Sequence, residues 1–546
     1  MKPPADPIDR SWPEALGRAE AYPHDPDAGT GIERIQTHLS WVYLTAERVY
    51  KFRKDVDVGF VDFSTRASRR RDCLDEVRLN RRLAPDVYLG VAEARIVDGA
   101  LRVGEVGEEF SGPEGEDAEP CVVMRRLPDG RDALSLLDRG DLTPGQIDVL
   151  AARIARFHGE HALVQAIDDE AWARRICGPV HDNFEALSAF PEAIVPRAAL
   201  ARMQRRNAAF EQTRLPRLLS RVRSGHAVDG HGDLHLQHVW YEAGSAEPRI
   251  IDCLEFDEEL RQFDTACDVA FLAMDLRYRG RAGWAERLLR RYARDADDFG
   301  LYAVVDYYAA YRAAVRAKVA AIASQDERVS RQQRAASGPS ARRHVLLADR
   351  LLEARAPGPL IAVCGIVGAG KTTVAELIAD ELRGAVVCAD RVRKRSAGLD
   401  PLASARAAPD AGLYTPDQRA RTYTALLERA RDVVGSGRVA VLDATFSETA
   451  ERDRCRAWAR EHGVTALLVQ VECDRAVALR RLEARRTRGG DASDAGPELH
   501  ARSAERFEKP TEWPGELHMR VDTSRRGWRR DARAAVRRLA AGKGSA

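Results

Sequence analysis

The sequence lacks several features that would assign it to common classes of protein. Its 546 residues carry 86 basic and 84 acidic side chains, which leaves a formal net charge of only +2. A chain so close to neutrality has no bulk attraction for nucleic acid or for an anionic membrane surface. It contains no long uncharged apolar run and no basic-then-apolar leader at its start. We therefore expect neither a membrane span nor secretion.

Cysteine usage argues against two further kinds of protein. The nine cysteines are odd in number, form no CxxC pair and are scattered between Cys73 and Cys473. Such usage is typical of reduced thiols rather than of a disulfide framework or a zinc site, so we expect a cytoplasmic protein. A hydrophobic content of 45% is that of a globular protein, and 546 residues exceed one ordinary core. Two or more domains are therefore expected.

What the sequence does contain is one complete phosphate-binding pattern. Residues 365–372 read GIVGAGKT and fit GxxxxGK[ST], directly after the apolar run 360–364 and before a helix-like segment. In such a loop the backbone N–H groups surround phosphate oxygens, the lysine reaches the outer phosphates and the hydroxyl holds Mg²⁺. We predict that ATP and Mg²⁺ bind here, with Mg²⁺ on Thr372, through Gly365, Gly368, Ala369, Gly370, Lys371, Thr372 and Thr373.

The order of the predicted elements differs between the two halves of the chain. In the first half, strand-like runs such as 40–44 and 48–52 and a helix-like segment at 73–83 precede a mass of helices, which is typical of an α+β domain. In the second half helices alternate with strands, which predicts a parallel α/β sheet; the candidate strands are 360–364, 385–388, 438–442, 466–471 and 517–521. We predict domains at 1–322 and 358–546, joined by a helical linker at 323–357 with a break at Gly338-Pro339.

A second chemical constellation lies in the first half. The run His231-Gly232-Asp233 is followed by an apolar strand that ends in Asp252. This pair resembles the catalytic loop and the metal-binding aspartate of the aminoglycoside phosphotransferase family, relatives of the protein kinases. The resemblance covers about residues 37–320 and implies that Asp233 prepares the acceptor hydroxyl while Asp252 holds Mg²⁺ on the phosphates.

The same resemblance implies roles for residues nearer the start of the chain. Lys51 would be the strand lysine that contacts the phosphates, with Arg53 and Lys54 as adjacent alternatives, and Glu76 would be its ion-pair partner. One position departs from the family pattern, because His238 stands where the family has a metal-binding asparagine.

Magnesium prefers oxygen ligands, so an imidazole at position 238 needs an explanation. His238 could act on the metal through water, or Glu255 could supply the missing oxygen. Alternatively, the first domain has lost phosphoryl transfer and keeps only nucleotide binding.

The second half resembles small P-loop kinases of the gluconate kinase and zeta-toxin-like group, often classed as AAA-type ATPases. The resemblance implies that Asp390, after the second strand, binds or deprotonates the acceptor hydroxyl. The following run 391–395 holds arginines that would grip an anionic acceptor or else belong to a solvated helix start.

Two more assignments in this half keep an alternative. Asp443 ends another strand and would orient Mg²⁺ or cap the next helix. Arg485 lies in the basic segment 480–490, which would be a lid over the phosphates with Gly489-Gly490 as its hinge, or a plain surface helix.

These observations together predict the fold class and a function. The fold would be a protein-kinase-like α+β domain followed by an α/β P-loop nucleotide-kinase-like domain. The function would be ATP- and Mg²⁺-dependent phosphoryl transfer to small hydroxylated molecules by two kinase-like domains. Alternatively, only the C-terminal domain is active and the N-terminal domain senses a nucleotide or metabolite. A third hypothesis, an ATPase or nucleic-acid end-processing kinase, fits poorly with the neutral charge and the lack of an aromatic and basic stripe.

Overall fold

The computed structural model describes residues 6–59, 61–110, 117–163, 168–403, 412–488, 493 and 495–541. The chain forms two compact units, one of residues 1–171 and 222–275 and the other of residues 172–221 and 276–546. Helices from the first half of the sequence therefore belong to the same unit as the whole second half. The domain limits at 322 and 358 remain a prediction from the sequence.

The strands of the described residues are β1 Glu33–Gln36, β2 Ser40–Leu44, β3 Arg48–Arg53, β4 Tyr88–Val97, β5 Ala100–Val103, β6 Ala118–Arg125, β7 Ala227–Asp229, β8 Val239–Trp240, β9 Arg249–Ile250, β10 Gln262–Asp264, β11 Leu360–Cys364, β12 Ala385–Cys388, β13 Ala440–Asp443, β14 Ala466–Glu472 and β15 His518–Asp522.

The α-helices are α1 Trp12–Ala15, α2 Arg66–Asn80, α3 Ala133–Arg139, α4 Pro144–Glu160, α5 Asp169–Ser188, α6 Arg197–Arg221, α7 Glu258–Arg261, α8 Thr265–Tyr278, α9 Ala282–Ala296, α10 Val305–Gln325, α11 Arg331–Leu351, α12 Lys371–Leu382, α13 Ala389–Ser396, α14 Pro416–Gly435, α15 Thr449–Glu461, α16 Arg475–Arg488, α17 Glu498–Arg506 and α18 Trp528–Ala541.

The first unit is built on a six-stranded antiparallel sheet in the order β1-β2-β3-β6-β4-β5. Helix α2 packs on this sheet, with Cys73 and Val77 against Val91 and Val122 in one apolar cluster. Two short antiparallel pairs, β7 with β10 and β8 with β9, follow in the second segment of the unit. This arrangement confirms the predicted α+β class of the first half.

The second unit contains a five-stranded parallel sheet in the order β12-β13-β11-β14-β15. Apolar side chains of the strands and of α12 and α18 form its core, for example Val363, Ile378 and Val536. The carboxyl ends of all five strands meet at one edge, which is where ligands bind in open α/β sheets. The predicted parallel sheet is confirmed, and β11 and β12 have the predicted limits.

Two local predictions were wrong. Helix α11 runs unbroken through Gly338-Pro339, because the residues that follow this pair, among them Ala341, Val345 and Ala348, are buried within the unit. Helix α2 begins at Arg66 rather than near Cys73, since Thr65 caps it by accepting a hydrogen bond from the Ser68 backbone N–H. Among the described residues, no helix combines the length and apolar character that crossing a membrane requires.

Candidate active sites

The phosphate-binding loop lies between β11 and α12, as the pattern predicts. Gly368 and Gly370 adopt left-handed backbone conformations, with φ of +83° and +93°. The backbone of Gly365 lies close to that of Val471, since a Cβ on residue 365 would be only 2.4 Å from the Val471 backbone oxygen. Glycine is therefore required at these positions by the geometry of the loop.

Thr372 and Asp443 meet at the carboxyl edge of the parallel sheet. The Thr372 hydroxyl donates a hydrogen bond to Asp443 Oδ2 at 2.7 Å, although 71 residues separate them in the sequence. A hydroxyl beside a carboxylate is the oxygen ligand pair that holds Mg²⁺ in P-loop proteins. These two side chains therefore fit the metal that the sequence predicts.

Lys371, which is half-buried, lies close to this pair. Its ammonium donates to the backbone oxygen of Ile366 within the loop, at 3.0 Å. Burial lowers the pKa of Lys371, while the charges of Asp443 and Asp390 act in the opposite direction. Burial raises the pKa of Asp443. The lysine and both carboxylates thus act on one another electrostatically.

Asp390 stands in the first turn of α13, directly after β12. Burial alone would raise its pKa, but the Arg393 guanidinium, which donates to Asp390 Oδ1 at 2.5 Å, lowers it below the usual value. Asp390 is therefore ionised and accepts hydrogen bonds.

The sequence allowed two interpretations of the arginines at 391–395, binding of an anionic acceptor or a solvated helix start. Two of these arginines have a partner that neither interpretation included. Arg391 donates to Asp295 Oδ1 at 3.0 Å, and Arg395 donates to the Asp295 backbone oxygen at 2.8 Å. Asp295 belongs to α9 in the same unit, so these two side chains bind α13 to a helix from the first half of the sequence.

The predicted lid segment forms helix α16. Arg485 Nη2 donates to the backbone oxygen of Ala495 at 2.5 Å. The proposed hinge Gly489-Gly490 lies outside the described residues. The role of Arg485 over the phosphates stays a prediction.

Sequence reasoning missed the side chains that brace the loop. Arg481, one turn before Arg485, donates to Thr523 Oγ1 at 2.8 Å and to the Thr523 backbone oxygen at 2.9 Å. The Thr523 hydroxyl donates in turn to the Ala369 backbone oxygen at 2.7 Å. From α17, Ser503 Oγ accepts from the Val367 N–H at 3.1 Å. No pattern in the sequence marks these contacts, because each joins distant segments.

The first unit assembles the predicted lysine and carboxylates. Lys51 on β3 donates to Glu76 Oε1 on α2 at 2.8 Å and to Asp252 Oδ1 at 3.2 Å. Lys51 thereby lowers the pKa of Asp252. In kinases the equivalent lysine–glutamate pair must be in place for phosphate binding.

The alternatives to Lys51 have other partners. Arg53 Nη2 donates to Glu76 Oε2 at 2.6 Å, and its guanidinium also binds Asp72 and Glu255. Burial raises the pKa of Glu255 to about 8. Glu255 therefore binds an arginine rather than standing with Asp252, which weakens its candidacy as the missing metal ligand.

The loop that carries Asp233 is held from below by Asp268. The backbone N–H groups of His231 and Gly232 donate to the two carboxylate oxygens of Asp268 at 2.6 and 2.9 Å. Asp268 therefore contacts the loop directly. Burial alone would raise the pKa of Asp233, but a hydrogen bond from His235 and the neighbouring imidazoles lower it.

His238 lies between the two aspartates of this site. Its Nδ1 is 2.9 Å from the Asp233 backbone oxygen, and its Nε2 is 3.3 Å from Asp252 Oδ2. Burial lowers the pKa of His238. A nitrogen ligand beside Asp252 does not fit Mg²⁺, which prefers oxygen.

Known proteins are similar to parts of this chain or to nearly all of it. Residues 360–510 match the profile of the AAA domain family. Over 510 residues the chain is 32% identical to the Uncharacterized protein Rv2004c of Mycobacterium tuberculosis (strain ATCC 25618 / H37Rv), covering 93% of this chain and 95% of the relative. The chain belongs to the family of this mycobacterial protein. A second member, with the same identity and coverage, is the Uncharacterized protein Mb2027c of Mycobacterium bovis (strain ATCC BAA-935 / AF2122/97).

Two solved kinase structures are similar to parts of this chain. A gluconokinase from Sinorhizobium meliloti 1021 is 23% identical, with 35% of this chain and 97% of that chain covered and a TM-score of 0.26. The amicoumacin kinase hAmiN, in complex with AMP-PNP, Ca²⁺ and Ami, is 15% identical, with 63% and 94% covered and a TM-score of 0.36. The match to the AAA domain family supports the predicted AAA-type classification of the second half.

Proposed function

We propose that this protein is an ATP- and Mg²⁺-dependent phosphotransferase whose C-terminal P-loop domain transfers a phosphoryl group to a small hydroxylated molecule. The observation that carries the proposal is the 2.7 Å hydrogen bond between Thr372 and Asp443, beside Lys371 and a complete glycine loop. Chance glycine turns do not bring a hydroxyl, a carboxylate and a lysine together at the carboxyl edge of a parallel sheet.

Each side chain has a role that follows from its chemistry. Lys371 and the loop N–H groups neutralise the phosphate oxygens, and Thr372 with Asp443 holds Mg²⁺, which supplies further positive charge there. Asp390 accepts the hydrogen bond of the acceptor hydroxyl and takes its proton as the oxygen bonds to the terminal phosphorus and the bond to the ADP oxygen breaks. Arg485 neutralises charge on the transferred group. Catalysis is then positioning and charge stabilisation without a covalent enzyme intermediate.

The first unit supports a second phosphotransferase site, with Lys51, Glu76, Asp233 and Asp252 in the kinase-like roles. One observation favours the alternative in which this unit only senses a nucleotide or metabolite: His238 stands beside Asp252 where Mg²⁺ needs an oxygen. We place both activities in the cytoplasm, since all nine cysteines are free.

A turnover experiment tests the proposal and separates its two versions. ATP consumption would be measured with a panel of sugars and amino sugars for the wild type, Lys371→Ala, Asp390→Asn and Asp233→Ala. Asp531→Asn, an exposed change on α18, is the matched control. We expect Lys371→Ala and Asp390→Asn to lose at least a hundredfold in turnover, in line with the loss of a single transition-state contact. Turnover by Lys371→Ala at the wild-type rate with every acceptor would refute the P-loop assignment.

The Asp233→Ala variant distinguishes the two versions. A loss of turnover for one group of acceptors would show two active sites. If all turnover survives Asp233→Ala and none survives Lys371→Ala, the first unit is not a phosphotransferase.

A further inference from the structure

The orientation of His238 is determined by its Nδ1. That nitrogen is 2.9 Å from the Asp233 backbone oxygen, and a carbonyl oxygen can only accept. Nδ1 therefore carries a proton and donates it. Metal-binding histidines commonly anchor one ring nitrogen to a carbonyl or carboxylate in this way, which turns the other nitrogen to the metal.

The other nitrogen of the ring faces a second acceptor. In the neutral imidazole Nε2 carries a lone pair, and Asp252 Oδ2 lies 3.3 Å from it. Asp252 uses its other oxygen for Lys51, at 3.2 Å. A nitrogen lone pair and a carboxylate oxygen that face each other in this way are two ligand atoms that one cation can share.

The distance between His238 Nε2 and Asp252 Oδ2 can be compared with that of a hydrogen bond and with that of two ligands on one metal ion. A hydrogen bond from an imidazolium to a carboxylate is about 2.7–2.9 Å long. Two ligands of one transition-metal ion, each about 2.0–2.2 Å from it, lie about 2.8–3.1 Å apart at octahedral angles and about 3.3–3.6 Å apart at tetrahedral angles. The observed 3.3 Å fits two ligands of one ion.

Two more side chains, those of Asp233 and His235, lie close to the His238 ring. Asp233 Oδ2 is 3.6 Å from His238 Nδ1 and 3.6 Å from His235 Nε2. The rings of His235 and His238 lie with their centroids 3.9 Å apart, and His235 is buried. Asp233, His235 and His238 offer ligand atoms within 4.8 Å of one another.

We propose that His238 Nε2 and Asp252, with Asp233 and His235 beside them, bind a divalent transition-metal ion such as Mn²⁺, Co²⁺ or Zn²⁺ in preference to Mg²⁺. Imidazole with carboxylate is a ligand set that suits these ions, whereas Mg²⁺ requires oxygen. The remaining coordination positions stay open to phosphate oxygens. This inference concerns the first unit and does not depend on the proposed P-loop activity.

The test uses the full chain, freed of metal by chelation and without nucleotide, titrated with Co²⁺ while its visible d–d absorption is recorded. Mg²⁺ is then added as a competitor. We expect Co²⁺ to bind at least about tenfold more tightly than Mg²⁺. We also expect His238→Asn to lower the affinity for Co²⁺ at least about tenfold. Asp252→Asn, which keeps the shape of the side chain, should have the same effect and guards against misfolding of the first variant.

The matched control is His462→Asn in the other unit. His462 Nδ1 also lies 2.9 Å from a backbone oxygen, that of Trp458, and its ring stacks on an aromatic neighbour. Removing it should leave Co²⁺ affinity unchanged. Equal affinities for Co²⁺ and Mg²⁺, or a Co²⁺ spectrum that neither site variant alters, would overturn the proposal. Nucleotide binding at the P-loop, measured separately with Lys371→Ala, would be unaffected by either result.

Discussion

Arg438, just before β13, is a buried charge of the second unit that binds two carboxylates. Its Nε donates to Glu286 Oε2 at 2.7 Å and its Nη1 to Asp306 Oδ2 at 2.9 Å. Glu286 lies on α9 and Asp306 on α10, so the guanidinium joins these helices to the P-loop sheet within one unit. Arg438→Met would keep the volume of the side chain and remove its charge.

The expected cost follows from the charges that remain. Removing one partner of a buried ion pair costs about 3–5 kcal/mol, because the other charge is left without compensation. Arg277 still donates to Glu286 at 2.7 Å and to Asp306 at 3.0 Å. We therefore expect the lower end, about 3 kcal/mol. At about 2 °C per kcal/mol for a unit of this size, the unfolding temperature should fall by about 6 °C.

Thermal unfolding followed by circular dichroism measures this shift. Arg328→Met is the control, since Arg328 pairs with Asp326 at the protein surface. Adding Glu286→Gln to Arg438→Met should recover part of the loss by removing one of the two facing carboxylates. A shift for Arg438→Met no larger than that for Arg328→Met would refute the reasoning that this buried network holds the helices to the sheet.

Three further predictions concern the loop and the buried network. Thr372→Val removes the hydroxyl that we propose as a Mg²⁺ ligand. It should weaken the binding of Mg²⁺–ATP, measured by calorimetry, at least about tenfold, which is about the 1.4 kcal/mol of one hydrogen bond. Unchanged affinity would contradict the proposed site. Gly365→Ala places a Cβ 2.4 Å from the Val471 backbone oxygen, so both the unfolding temperature and the nucleotide affinity should fall. A variant with the wild-type unfolding temperature and affinity would show that the loop tolerates the side chain. Burial alone would raise the pKa of Asp306, but Arg438 lowers it. The stability that this lowered pKa contributes is present above about pH 4 and is lost as the pH falls below it. Acid should therefore lower the unfolding temperature more in the wild type than in Arg438→Met.

Local patterns in the sequence were sufficient for the parallel sheet and the phosphate loop. Strands β11 and β12 have the predicted limits, because apolar runs bounded by glycine or charge leave little choice of ends. Lys51 and Glu76 were paired correctly by resemblance, and the structure brings them to 2.8 Å. The start of α2 was missed, since its first turn is arginine-rich and its signal is the cap at Thr65 rather than an apolar period.

The sequence by itself determined which groups can bind a polyphosphate, because the glycines, the lysine and the threonine of that loop act within eight consecutive residues. Only the tertiary structure decided which distant groups meet them. It brought Asp443 to Thr372, Thr523 to Ala369 and Asp295 to Arg391. It also turned His238 so that Nε2 faces Asp252. Such contacts depend on how strands and helices pack, and packing is a property of the whole core that no short segment encodes.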